Sequence, residues 1–109
     1  MNFDEYQQKS KVTDTGTTIG THFGYLTMGL IGEAGELANK IKKVFRDDDG
    51  KVTDSRKEEV EQELGDVLWY MSQLATDFEL SLDDVAQANL DKLLSRKDRG
   101  TISGSGDVR

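Results

Sequence analysis

A chain of 109 residues, 35% hydrophobic and 32% charged, has room for one small core, built from amphipathic faces because no apolar run approaches the ~20 residues of a membrane span. Its formal net charge of -7 argues against a grip on nucleic-acid backbone, and the absence of cysteine removes disulfides, thiolate zinc sites and cysteine nucleophiles. With one histidine, His22, a multi-histidine zinc centre and a paired Glu-x-x-His di-iron bundle are out of reach, so any metal must be held by carboxylates.

The N-terminus, MNFDEYQQKS, has no basic start followed by an apolar run, so no secretory signal and a cytoplasmic location are expected. Zero prolines favour helices throughout. A short helix is expected through Phe3 and Tyr6, then a loop containing Gly16 and Gly20. From Phe23 the apolar residues Leu26, Leu30, Ala34, Leu37, Ile41 and Val44 recur at helical spacing, which predicts a long helix over about 21–46. Asp47-Asp48-Asp49-Gly50-Lys51 breaks it as a polar turn, and Thr53, Asp54 or Ser55 can cap a third helix. That helix carries Val60, Leu64, Val67, Leu68, Met71, Leu74, Ala75 and Phe78 on one stripe and should end near Glu79.

Ser81-Leu82-Asp83-Asp84 resembles a capping box and opens a fourth helix through Arg96. Residues 97–109, with three glycines, read as a flexible tail or an arm ordered by a ligand or another subunit. The expected fold is all-α: one domain over 1–96, a four-helix-bundle-like core of two long and two shorter helices. Its modest apolar fraction points to completion by oligomerisation.

The chemistry concentrates on two helix flanks. At about 100° per residue, Glu33 and Glu36 lie together beside the apolar stripe of the second helix, as do Glu63 and Asp66 on the third. Charges on helices are usually just solvated, yet Glu33, Glu63 and Asp66 have no basic residue three or four positions away in either direction; Glu36 has Lys40. Glu59, four before Glu63, adds repulsion. Crowded carboxylates raise a pKa or recruit a cation, and an all-oxygen set suits Mg²⁺ that also bridges to substrate phosphates. Gly24, Gly29, Gly32 and Gly35 each cost the second helix about 1 kcal/mol relative to Ala. Either close helix packing or an open surface beside Glu33 and Glu36 would account for them. Asn89 interrupts the fourth helix's apolar face of Leu82, Val85, Ala86 and Leu93, with Lys92 and Arg96 on the same side. An inter-helix bond and a phosphate or sugar contact are the two readings of that amide.

Two motifs are set aside. Asp47-Asp48-Asp49-Gly50 fails as a calcium loop, because the register puts Phe45 and Arg56 at its first and last ligand positions. Gly104-Ser105-Gly106 is too short for a phosphate-binding loop and follows no strand.

Gly32-Glu33-Ala34-Gly35-Glu36-Leu37, then Glu63-Leu64-Gly65-Asp66-Val67-Leu68, then Asn89-x-x-Lys92 resemble the MazG-type nucleoside triphosphate pyrophosphohydrolases of the all-α NTP pyrophosphatase superfamily. The likeness covers roughly residues 20–100 in order and spacing. It implies cleavage of a (deoxy)nucleoside triphosphate between the α and β phosphates, giving a monophosphate and pyrophosphate. It also implies Mg²⁺, with Mn²⁺ as a substitute, on Glu33, Glu36, Glu63 and Asp66, with Glu33 and Glu36 the catalytic carboxylates. Many members carry a further Glu where this chain has Gly32, which leaves open the number of metals and the carboxylate that activates water. Lys40, Lys43, Lys92 and Arg96 are then candidate phosphate cations and Asn89 a nucleotide contact. Tyr70 is a candidate base or sugar contact, or else an interface aromatic, and His22 and Trp69 could frame the base. A homodimer or homotetramer is implied, with no nucleic-acid or membrane partner. The alternatives are a related phosphoribosyl-nucleotide pyrophosphatase and a non-catalytic helical interaction module.

Overall fold

The computed structural model describes residues 1–16 and 21–100, and among these it contains four helices and no strand. The helices are α1 (Phe3–Lys11), α2 (His22–Asp47), α3 (Asp54–Asp77) and α4 (Leu82–Asp98). Each starts on a side-chain oxygen that takes up an orphan amide: Asn2 accepts from Glu5 N, Thr21 from Gly24 N, Thr53 from Arg56 N and Ser81 from Asp84 N. Of the three candidate caps for the third helix, Thr53 is the one used. The fourth helix runs two residues past Arg96 to Asp98. Gly20 and the tail beyond Gly100 lie outside the described residues.

Both long helices stop as the sequence suggests. Past Asp47 the chain turns through Asp49 and Gly50, at φ 58° and 77°, with Gly50 N donating back to the Val44 carbonyl at 3.0 Å. At the end of α3, Glu79 takes φ 57° and Leu80 N reaches the Ala75 carbonyl at 2.8 Å, closing the helix in a Schellman-like turn. Arg56 holds the α2–α3 hairpin together: its Nε lies 2.6 Å from Asp48 Oδ2 and its guanidinium 3.1 Å from Glu59 Oε2.

The α2 and α3 helices pack along their lengths as an antiparallel pair, as His22 against Asp77 at one end and Lys40 against Glu59 toward the other require. α1 lies against α3 through a polar seam. Ser10 Oγ receives Gln73 Nε2 at 2.9 Å and meets Ser72 Oγ at 3.3 Å. Buried Gln7 spans the α3–α4 connection, donating to Thr76 Oγ1 and the Leu80 carbonyl and accepting from Leu82 N at 2.8 Å. α4 packs on α1.

The apolar interior is small: among the described residues only Leu26, Val44, Ala75 and Leu82 are buried hydrophobics. Ile31, Ile41 and Phe45 stand on the outer face of α2, with Leu64, Met71 and Phe78 at seven-residue spacing on α3, all exposed.

Candidate active site

The antiparallel register brings residues at four-residue spacing on α2 against one flank of α3: Tyr25 and Gly29 meet Tyr70, and Glu33 meets Asp66 and Glu63. At the level of Glu33 the carboxylates of Glu33, Glu63 and Asp66 each bring an oxygen within 4.8 Å of the others. Glu33 and Glu63 are half-buried and Asp66 is exposed. Burial raises the Glu33 carboxyl above its usual range, helped by the charge of Asp66, a hydrogen bond with Glu63 and the charges of Glu63 and Glu36. Glu63 Oε2 is closed off from solvent with no donor against it. A shielded, unsatisfied carboxylate oxygen beside two more carboxylates fits a divalent hard cation.

Glu36 is exposed and stands outside this three-carboxylate group, one turn further along α2, so three of the four expected ligands come together and the fourth does not. Glu59 adds no repulsion, because Arg56 and Lys40 lie 3.1 and 3.8 Å from its Oε2. That contact places Lys40 one turn of α3 from Glu63. Lys43 is another turn nearer the hairpin end, in the field of Asp47.

A pocket of about 310 Å³ opens beside the acids, lined by Glu33, Asp66, Trp69 and Tyr70. Trp69 and Tyr70 meet edge to face with centroids 5.0 Å apart, and Trp69 Nε1 donates to Thr13 Oγ1 at 2.7 Å. The Tyr70 phenol is pushed up, first by burial and then by Tyr25, Glu33 and Asp66, so at neutral pH it keeps its proton. Tyr6 of α1 is raised likewise, by burial and then by the charge of Asp66. His22 does not frame the pocket; its ring is held between Asp77 Oδ1, 2.7 Å from Nδ1, and Asp14 Oδ2, 3.0 Å from Nε2.

On α4 the structure departs from the expected buried amide. Asn89 is exposed, Lys92 half-buried and Arg96 buried, and none lines the acid pocket. A face broken by Asn89 needs a helix opposite it to be buried, and within one chain α4 meets chiefly the nine-residue α1.

The glycines divide. A Cβ at Gly24 would come 2.8 Å from Thr21 Oγ1, and one at Gly29 would fall on the Tyr70 ring, whereas Gly32 and Gly35 face open space. Both readings therefore apply, at different positions. Tyr25, Gly29 and Thr13 are site residues that the sequence reading missed. The four-residue spacing back from Glu33 points to the first two, but nothing local marks Thr13.

Residues 23–101 match the MazG nucleotide pyrophosphohydrolase domain. The chain is 58% identical to the Gene 37 protein of Mycobacterium phage L5 over 85 residues, covering 78% of this chain and 75% of that protein. It is 34% identical to the uncharacterized protein YvdC of Bacillus subtilis (strain 168) over 97 residues, covering 84% of this chain and 86% of the relative. No solved structure matches it significantly. With the acids of the two long helices converging as described and the domain match spanning both, the chain belongs to the MazG nucleotide pyrophosphohydrolase family.

Proposed function

We propose that this protein hydrolyses (deoxy)nucleoside triphosphates to a nucleoside monophosphate and pyrophosphate, with Mg²⁺ or Mn²⁺ as cofactor, clearing nucleotides from the cytoplasmic pool. The observation that carries the reading is the meeting of Glu33, Glu63 and Asp66 around the unsatisfied Glu63 Oε2. These three carboxylates would hold the metal, which when bound neutralises phosphate oxygens and stabilises departing pyrophosphate. Glu36, one turn beyond Glu33 and outside the group, would orient water and take its proton. Water oxygen bonds to the α phosphorus, the bridging α–β bond breaks, and the electron pair leaves with pyrophosphate. Trp69 and the proton-bearing Tyr70 offer an aromatic wall to the sugar or base. Lys40, held against Glu59 one turn of α3 from Glu63, is a proposed phosphate cation.

The exposed stripes of α2 and α3 support a homodimer or homotetramer, in which Asn89 and Lys92 would approach an acid pocket across the interface, whereas Arg96 is buried within its own chain. No helix among the described residues is long and apolar enough to cross a membrane.

Incubation with each dNTP and Mg²⁺ in ¹⁸O-enriched water tests the reading. Pyrophosphate should be released with no single phosphate, and the label should enter the nucleoside monophosphate. Label in the pyrophosphate alone would move the attack to the β phosphorus, and no release from any nucleotide would leave the carboxylates without a catalytic role.

A further inference from the structure

Among the helical glycines of α2 and α3, Gly29 is set apart by what it touches. A Cβ built there would fall on Cε1 and Cζ of Tyr70 and 2.7 Å from Cδ1, while at Gly32, Gly35 and Gly65 it would meet nothing within 4 Å. The obstacle is an aromatic ring and not the end of a flexible chain, so it cannot yield without turning the whole side chain. The same ring is engaged on its other sides. Tyr25, one turn before Gly29, lies close enough to the Tyr70 phenol to help raise its pKa, and the ring meets the Trp69 indole edge to face at an interplanar angle of 86°. Glu33 follows Gly29 by one turn, and Tyr70 lines the acid pocket with it.

We infer that Gly29 is a positioning residue for substrate binding: the missing side chain is the seat in which the Tyr70 ring lies, and it fixes the aromatic wall at the distance from the carboxylates that a bound nucleoside requires. The inference rests on the nucleotide reading of the pocket and adds to it the residue that sets its width. A helix interior is weakened by carrying Gly in place of Ala, and the Tyr70 ring accounts for that loss at position 29. Adding one methyl displaces the ring from its place between Tyr25 and Trp69 and disturbs the pocket without touching a carboxylate.

Gly29→Ala, Tyr70→Ala and the double variant are compared in full-length protein by steady-state kinetics on the best dNTP, by Mn²⁺ binding without nucleotide, and by NMR of the Gly29 amide and α protons. Gly29→Ala should raise KM tenfold or more with kcat within about threefold and Mn²⁺ affinity unchanged. On the Tyr70→Ala background the same change should alter KM less than twofold, since the ring it displaces is gone. Unchanged KM in Gly29→Ala, or an equal KM increase on both backgrounds, overturns the inference. Should Gly29→Ala fail to fold, the double variant must fold; a double variant that is also unfolded overturns it too. The Gly29 protons should carry a ring-current displacement that vanishes in Tyr70→Ala, and its absence from the wild type would refute the seat. A wild type that keeps this displacement but neither hydrolyses nor binds nucleotides would instead overturn the reading of the pocket.

Discussion

His22, the first residue of α2, places its Nδ1 2.7 Å from a carboxylate oxygen of Asp77, the last residue of α3. Asp14, just after α1, lies 3.0 Å from the other ring nitrogen, so one imidazole fastens three parts of the chain. The hydrogen bond to Asp77 raises the His22 pKa and, together with the charges of both aspartates and the contact with Asp14, outweighs the opposing effect of burial. A folded-state value above the ordinary ~6.5 means that the fold gains by binding the proton. The gain is complete below about pH 6.5 and is lost as pH rises through the raised folded value. The Tm of the wild type should therefore fall by a few degrees from pH 6 to pH 8, and by less in His22→Gln, as scanning calorimetry would show. Parallel pH profiles would deny the imidazole this role.

Glu63→Gln separates the site's chemistry from its contribution to stability. Removing one of three converging carboxylates should lower turnover by ~100-fold or more, the scale on which metal binding supports phosphoryl chemistry. Without metal the fold should be as stable as wild type or more so, because half-buried negative charges are no longer crowded together. Saturating Mg²⁺ should raise the Tm of wild type, with ~2.7 kcal/mol expected at a hundredfold excess over Kd, and leave the variant unmoved. Equal Mg²⁺ shifts in both proteins would place the ion elsewhere.

Thr13→Val tests the hold on Trp69. The variant keeps the shape of the side chain and removes the hydroxyl that receives the indole N–H at 2.7 Å. About 1 kcal/mol of positioning energy corresponds to roughly a fivefold higher KM with kcat retained. Fluorescence of the single tryptophan reports the freed indole directly.

The exposed apolar stripe on α2 should be covered by another copy of the chain. Sedimentation equilibrium should give two or four times the chain mass for wild type. Ile41→Glu, which puts a charge on that stripe, should shift it toward the monomer. Asn89→Leu, at an exposed position, should alter stability by no more than ~0.5 kcal/mol while weakening nucleotide binding if the assembly carries Asn89 to the pocket. A monomeric wild type would sever α4 from the chemistry.

Much of this was legible in residue order. Thr53 and Ser81 announce their helices because capping is a contact over three residues, and Glu33, Glu63 and Asp66 meet because i, i+3 spacing puts them beside stripes that must pack. What escaped depends on contacts without a local signature. Trp69 finds Thr13 across 56 positions and Gln7 finds Leu82 across 75, and no periodicity encodes either pairing. Asn89 was misplaced for a related reason: an apolar face shows that a helix wants cover, but not which helix supplies it.

The family match begins at Phe23, beyond α1. Gln7 nevertheless provides three hydrogen bonds at the α3–α4 corner, Ser10 meets Ser72 and Gln73 of α3, and Asp4 accepts from Ser81 at 2.7 Å. Excising the first twenty-odd residues would therefore leave the recognisable domain whole as text and open as an object. It would bare the amide of Leu82 and the polar faces of Ser72 and Gln73, and α4 would lose the helix on which it rests. For transplanting or minimising this fold, the leading helix is an internal splint that begins at its cap, Asn2.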